Sequence, residues 1–532
     1  MNSTNLSKLG LGFLLSSMSL FAVDANMGAK VIDTKCTACH TGAIEDGLSR
    51  ISDQRKTPEG WYMTVSRMQR LHGLSLSTQE EENVIKYLSD NQGLTPDEIK
   101  PFEYVLDKTP NFQEAQADTM LSEMCIRCHS NARIGLQRRT EGEWDRLVNF
   151  HVGQFISFEI QAQARDRDWF GIAQKELVPY LEKTYGLQSK KWIEYKNSMK
   201  DYTLPSSWTF YGHNSLDGDF TATLSLEKEN DESYKAIYEA SYLNGKTFKA
   251  EGKAILYSGS ELRVSLKDNN NKRFQQILHI NPKESIIEGR LYETLHHEIG
   301  SSLKGVSDNK EVTYITKIYP SALKAGEKTK LVIVGSNLPK SIDLPKNIKV
   351  INQISSTKNR IEIEVVAQNI SDTKAYDLKI GDIVVKNAIA AYNKIDYMKI
   401  TPDYAIARYG EETEKIKKEF TQFEAIGFSN GADGKKGTAD DIKLSQLPVL
   451  WNMKPYDEQA KEDRDIMYAG SIDRYTGLFT PSEGGYNPTR KLMANNVGNL
   501  TVTATYIENN KKLEAQSHLI VTVPKFVNPP IN

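Results

Sequence analysis

Two five-residue stretches constrain this chain more than anything else in it: Cys36-Thr37-Ala38-Cys39-His40 and Cys125-Ile126-Arg127-Cys128-His129. C-x-x-C-H is the attachment signature of c-type haem. The two thiols add to the two vinyl groups of one porphyrin, and the adjacent histidine offers its nitrogen to the iron. The two motifs use all four cysteines of the chain. A pair of disulfides or a zinc site is the competing reading. Zinc would draw both C-x-x-C pairs together and leave the histidine after each pair without a role. Haem therefore takes Cys36, Cys39, Cys125 and Cys128 as attachment points, with His40 and His129 as the proximal iron ligands.

The segments around the motifs repeat. Thr57-Pro58-Glu59-Gly60-Trp61 matches Thr140-Glu141-Gly142-Glu143-Trp144, and each reads as a helix start. Thr is the N-cap, Pro58 suits the first helical position, and Glu143 is placed to complete a capping box. Further on, Tyr87-Leu88 with Gly93-Leu94 matches Tyr180-Leu181 with Gly186-Leu187, and each glycine is expected to close a helix. The shift is 89 residues at the cysteine motifs, 83 at the tryptophans and 93 at the Tyr-Leu pairs. Residues 26–200 are therefore expected to form an α-helical tandem of two small cytochrome c folds, 26–100 and 101–200.

The repeat bears on the remaining iron ligands. Met68 lies seven residues after Trp61, and His151 seven after Trp144. Seven residues is about two helical turns, so ligand and tryptophan share a helix face. Met68 and His151 are the expected distal ligands. His72, one turn beyond Met68, is an alternative for the first haem, and Met68 would then be an ordinary core methionine. A thioether favours Fe(II) more than a second imidazole does, so a His/Met haem has the higher potential. Electrons would then enter at the His129/His151 haem and leave through the His40/Met68 haem.

After about residue 200 the texture changes to short alternating runs with turn signals. Tyr238–Leu243, Asn244-Gly245 and Thr247–Leu256 read as a hairpin. Glu261–Leu266, Arg273–Ile280 and Ser285–Glu293 continue the pattern, so 201–312 is expected to be an antiparallel barrel or sandwich. His296-His297 reads as a solvated strand end. Residues 313–395, with Ile315–Pro320 and Leu331–Leu338, read as an immunoglobulin-like domain. Residues 396–532 read as a second one with an irregular, polar middle. There, Asp433 to Asp441 has the look of a calcium loop but lacks the EF-hand spacing, and a plain Asp/Gly turn is the preferred reading. These β units carry no nucleophile elbow, phosphate loop or metal-protease helix. The chain is expected to be multidomain, with helices first and three all-β units after.

The N-terminus reads as an address. Lys8 closes a polar lead, Leu9 to Val23 is mostly apolar, and Val23-Asp24-Ala25 places small residues at the −3 and −1 sites. Residues 1–25 are expected to be a signal peptide directing export to a Gram-negative periplasm. An uncleaved anchor is the alternative, although the 15-residue run falls short of the roughly 20 residues a span needs. A net charge of −2 excludes a global field drawing the chain to nucleic acid or to an anionic membrane.

In order and texture the chain resembles the large (alpha, dihaem) subunit of quinohemoprotein amine dehydrogenase. The resemblance rests on Cys36–His40, on Arg55-Lys56-Thr57-Pro58-Glu59-Gly60-Trp61 leading into Arg67-Met68, on Cys125–His129, on the Trp144 to His151 helix, and on three β domains behind a dihaem region. It implies a heterotrimer. A small subunit would carry a cysteine tryptophylquinone, a second subunit would be a β-propeller, and this chain would carry both haems. Primary amines would be oxidised to aldehyde and ammonia at the quinone. Electrons would then pass through the haems to a small copper protein or a soluble cytochrome c. No catalytic residue is expected in this chain, and with no spare cysteine the quinone must belong to a partner. Two rival readings stand beside it. A dihaem peroxidase would need an iron with an open site, and a stand-alone electron carrier would use its β domains only for docking.

Overall fold

The computed structural model describes residues 23–531 except 116, 156–166, 200–201, 231–232, 341, 412, 414–415, 492–494 and 527. Most of the expected export signal, residues 1–22, lies outside the described residues. Val23 is buried, and Asp24 caps the helix Ala25–Val31 by accepting from the amides of Asn26 and Met27. A chain boundary after Ala25 would remove that cap.

Helices dominate up to residue 198. Pro58–His72 starts on Thr57, whose hydroxyl accepts from Gly60 N–H, and stops at Gly73 with φ 73°. Glu141–Gln154 starts in the same way on Thr140. Glu143 does not close the expected capping box; three arginines take its carboxylate instead. The expected glycine stops also differ. Gly186 has φ −62°, and Gly93 follows the C-cap residue Gln92. Close approach selects glycine at Gly93, where an added Cβ would meet the Ser258 hydroxyl at 2.1 Å.

Eight antiparallel strands from Ser207–Asn214 to Gly300–Ser307 close a barrel, the last pairing with the first. Inward positions alternate with outward ones, as a closed barrel requires. Phe220, Ala222, Leu224 and Leu226 of one strand all enter a core with Trp208, Phe210 and Tyr238. Residues 314–392 form two four-stranded sheets around Leu331, Ile333, Ile361 and Leu378. Between residues 397 and 522 a four-stranded sheet and two three-stranded sheets share one core. In both regions a short early strand joins its sheet by parallel pairing, Ala322–Lys324 in one and Tyr404–Arg408 in the other. Among the described residues no helix is long and apolar enough to cross a membrane.

Two histidines clasp the domains together. His279 of the barrel lies between Glu261 of the barrel (2.9 Å) and Asp107 of the helical region (3.0 Å). His213 lies between Asp219 (2.8 Å) and Glu424 of the C-terminal domain (2.9 Å). The reading of His296-His297 as solvated needs correction. His296 is buried and stacked 4.3 Å from Phe420, and Lys417 donates to His297 Nδ1. Burial, then Lys417 and its neighbouring cations, push His297 down to about 2. In the 433–441 loop the carboxylates accept backbone amides, Lys435 onto Asp433 (2.7 Å) and Gly437 onto Asp441 (2.7 Å), in the manner of a plain turn.

Candidate functional site: two cavities about a local dyad

The internal repeat pairs with itself. Gln54-Arg55-Lys56 and Gln137-Arg138-Arg139 are equivalent at the 83-residue shift, and they form a two-stranded antiparallel ribbon. Gln54 faces Arg139, Arg55 faces Arg138, and Lys56 faces Gln137. Arg55 and Arg138 therefore sit on a local two-fold axis. Both grip Glu98: Arg55 Nη2 at 2.9 Å and Arg138 Nε at 3.0 Å from Oε1. Arg55 also donates to the carbonyls of Leu187 and Gly93, so one guanidinium ties the two halves together. Each strand runs directly into a threonine cap, so the Trp61 and Trp144 helices leave the ribbon from opposite ends.

Both helices line both cavities, but each tryptophan enters only one of them. The first has a volume of about 580 Å³ and is lined by Cys36, Cys39, His40, Trp61, Met68 and His72, among others. The second, of about 310 Å³, is lined by Cys125, His129, Trp144 and His151, among others. Both volumes fall in the usual range for cofactor pockets. Cys128 is exposed and is not part of the second lining. None of the four cysteines is in a disulfide. In the first motif one tight turn carries the amides of Cys39 and His40 onto the Cys36 carbonyl, at 3.1 and 2.9 Å. Burial, Asp118 and Cys128 push the Cys125 thiol up to about 12.

The imidazoles are held by one nitrogen. His40 Nδ1 donates to Ser49 O (2.9 Å), His129 Nδ1 to Ser130 O (2.9 Å), and His151 Nδ1 to Leu147 O (2.7 Å). Such bonds fix ring orientation and tautomer, so an iron bond would fall to Nε2. Burial lowers the pKa of His129 and His151 and favours the neutral, metal-binding form. Met68 and His72 both line the first cavity, Met68 half-buried and His72 exposed at the last position of its helix.

Haem fits this arrangement on one further observation. The indole of Trp144 lines the second cavity, and its Nε1–H is buried with no acceptor among the described residues. The equivalent Trp61 donates to Gln92 O at 3.0 Å. A buried donor without an acceptor is costly, and a propionate-bearing occupant would satisfy it. The sequence reading missed the ribbon, Glu98 and the clasps. The repeat of Gln-Arg-Lys as Gln-Arg-Arg before each threonine was the available signal for the ribbon.

Four family models match in chain order. They are described as the quinohemoprotein amine dehydrogenase alpha subunit haem-binding domain (residues 26–192), domain II (201–308), domain III (312–393) and domain IV (398–531). No curated protein matches the chain. Solved structures share only local likeness. A de novo designed fluorescence-activating β barrel is 16% identical with a TM-score of 0.17, covering 20% of this chain and 93% of that one. The zebrafish RET cadherin-like domains 1 to 4 are 9% identical with a TM-score of 0.18, covering 49% and 62%. Domains 4–9 of the surface layer protein SbsC are 14% identical with a TM-score of 0.17, covering 56% and 47%.

The fold and the matched haem-binding domain define a multidomain haem-binding chain of an oxidoreductase. It belongs to the quinohemoprotein amine dehydrogenase alpha-subunit family, all four of whose domains are matched. An alpha subunit implies partner subunits.

Proposed function

We propose that this chain is the dihaem relay of a periplasmic amine dehydrogenase, placed between a quinone on a partner subunit and a soluble acceptor. Haem supplies reversible one-electron storage. Cys36 and Cys39 would anchor one haem, its iron held by His40 and Met68, and Cys125 and Cys128 the other, its iron held by His129 and His151. The observation that carries this reading is the duplicated cavity: each C-x-x-C-H motif faces the equivalent position seven residues beyond its own tryptophan.

The protein residues have distinct tasks. Ser49, Ser130 and Leu147 orient the imidazoles through their carbonyls. The Trp61 and Trp144 helices fix the distal ligands and exclude water with their apolar faces. Met68 in one half and His151 in the other would separate the two potentials, the Met68 side being higher. The amine would be oxidised to aldehyde and ammonia at a cysteine tryptophylquinone on a small subunit, beside a β-propeller subunit. A small copper protein or a cytochrome c would take the electrons.

The deciding experiment is native purification from periplasm. Co-purifying subunits, a mass increment of two porphyrins on this chain, and amine-driven haem reduction blocked by a carbonyl reagent are the expected results. A lone chain without porphyrin would overturn the reading. N-terminal sequencing tests export.

A further inference from the structure

Among the described residues, the wall shared by the two cavities carries two cations that no carboxylate pairs with directly. Lys56 is buried, and its ammonium donates to the Thr64 hydroxyl at 2.6 Å. Arg67 is half-buried, with its guanidinium 4.9 Å from the centre of the Phe150 ring. Both residues line both cavities. Among the described residues neither forms an ion pair with a carboxylate. Arg139, on the same wall, differs: it reaches Glu143 at 3.5 Å, and Arg50 and Arg146 share that carboxylate.

A buried cation without a counter-anion is unfavourable. Burial, with Arg139 and Arg67 close by, holds the Lys56 ammonium well below the usual lysine range. Among the described residues Glu143 is the carboxylate near Lys56, and Arg139, Arg50 and Arg146 already share it; the occupants of the cavities are the further source of negative charge on this wall. The repeat points the same way. Arg67 and Phe150 are equivalent positions, each immediately before an expected distal ligand, and they contact each other across the dyad.

We propose that Lys56 and Arg67 are shared counter-cations of both haems, facing propionates from either side and holding the two reduction potentials up together. The proposal rests on the dihaem reading above. A positive charge favours Fe(II) over Fe(III) at any iron it can reach. Two such charges in a common wall act on both irons, whereas a charge on one outer wall acts on one. Arg133, which lines only the second cavity, is the internal comparison.

The test is spectroelectrochemical titration of the full haem-loaded chain, with haem content measured by mass. Lys56→Met and Arg67→Gln are each expected to lower both potentials. At fixed poise the reduced-to-oxidised ratio of each haem should change about tenfold, or about 59 mV for a one-electron couple. Arg67→Lys should leave both near wild type, and Arg133→Gln should move only the haem on the His151 side. Two loaded haems with neither potential moved, or only one moved, would overturn the proposal, as would Arg67→Lys falling as far as Arg67→Gln. If one of the two shared-wall variants fails to load haem, the other carries the same prediction. A wild-type chain without porphyrin would instead remove the dihaem reading, and this inference with it.

Discussion

The Trp61 half and the Trp144 half of the helical region start from the same plan and end differently. Both tryptophans are buried, both helices are capped by threonine, and both cavities carry a C-x-x-C-H motif. Yet among the described residues the Trp61 indole finds an acceptor and the Trp144 indole does not. Position seven after the tryptophan is methionine in one half and histidine in the other. The scaffold was kept while the groups proposed to hold the two irons diverged. A duplicated fold can thus give two sites of unequal electron affinity without a new architecture.

The largest expected effect tests whether the halves are one unit. Glu98 holds equivalent arginines from both, so Glu98→Ala leaves two buried guanidinium groups uncompensated. It should cost about 3–5 kcal/mol in denaturant melts. Separate unfolding of the halves with no loss of midpoint would break the idea of a shared dyad.

Next comes the electronic difference. Met68→His should make the first half resemble the second and lower its haem potential, on the order of 100 mV. His72→Ala should leave that potential in place. A large change on removing His72 would make it the ligand instead.

The clasps contrast with both halves, because they act between domains. Burial alone would lower the pKa of His279, but Glu261 and Asp107 more than offset it and raise it to about 10. His213 is raised to about 9 in the same way by Asp219 and Glu424. A folded pKa above the unfolded value of about 6.5 gives stability that is fully present below pH ~6.5. That contribution is lost as pH rises through the folded values. Melts between pH 6 and 10.5 should lose roughly 1–3 kcal/mol, and His279→Gln should flatten the slope. Stability rising with pH over this range would contradict the clasp.

The smallest effect isolates the indole. In haem-free protein Trp61→Phe should cost about 1 kcal/mol more than Trp144→Phe, because among the described residues only Trp61 has a hydrogen bond to lose. Equal costs would mean that the two halves do not differ there.

Much of the site was legible in the residue order. C-x-x-C-H is a local signature, and a helix turn of fixed length places Met68 and His151 by counting alone. The β texture after residue 200 was legible too, since alternation follows from the strand period. Barrel or sandwich was not, because closure depends on whether the first and last strands meet. His296-His297 misled for a similar reason: their local sequence is polar, and it is Phe420 and Lys417 of another domain that cover them.

The sequence by itself determined which thiols, imidazoles and thioether are offered to haem and at what spacing, because each C-x-x-C-H motif and each tryptophan offset is contained in a few residues. Only the tertiary structure decided that the repeat pairs with itself on a dyad, that Glu98 serves both halves, and that Lys56 and Arg67 stand between the cavities. Those relations join residues far apart in the chain, and their electrostatics depend on burial, which no local pattern contains.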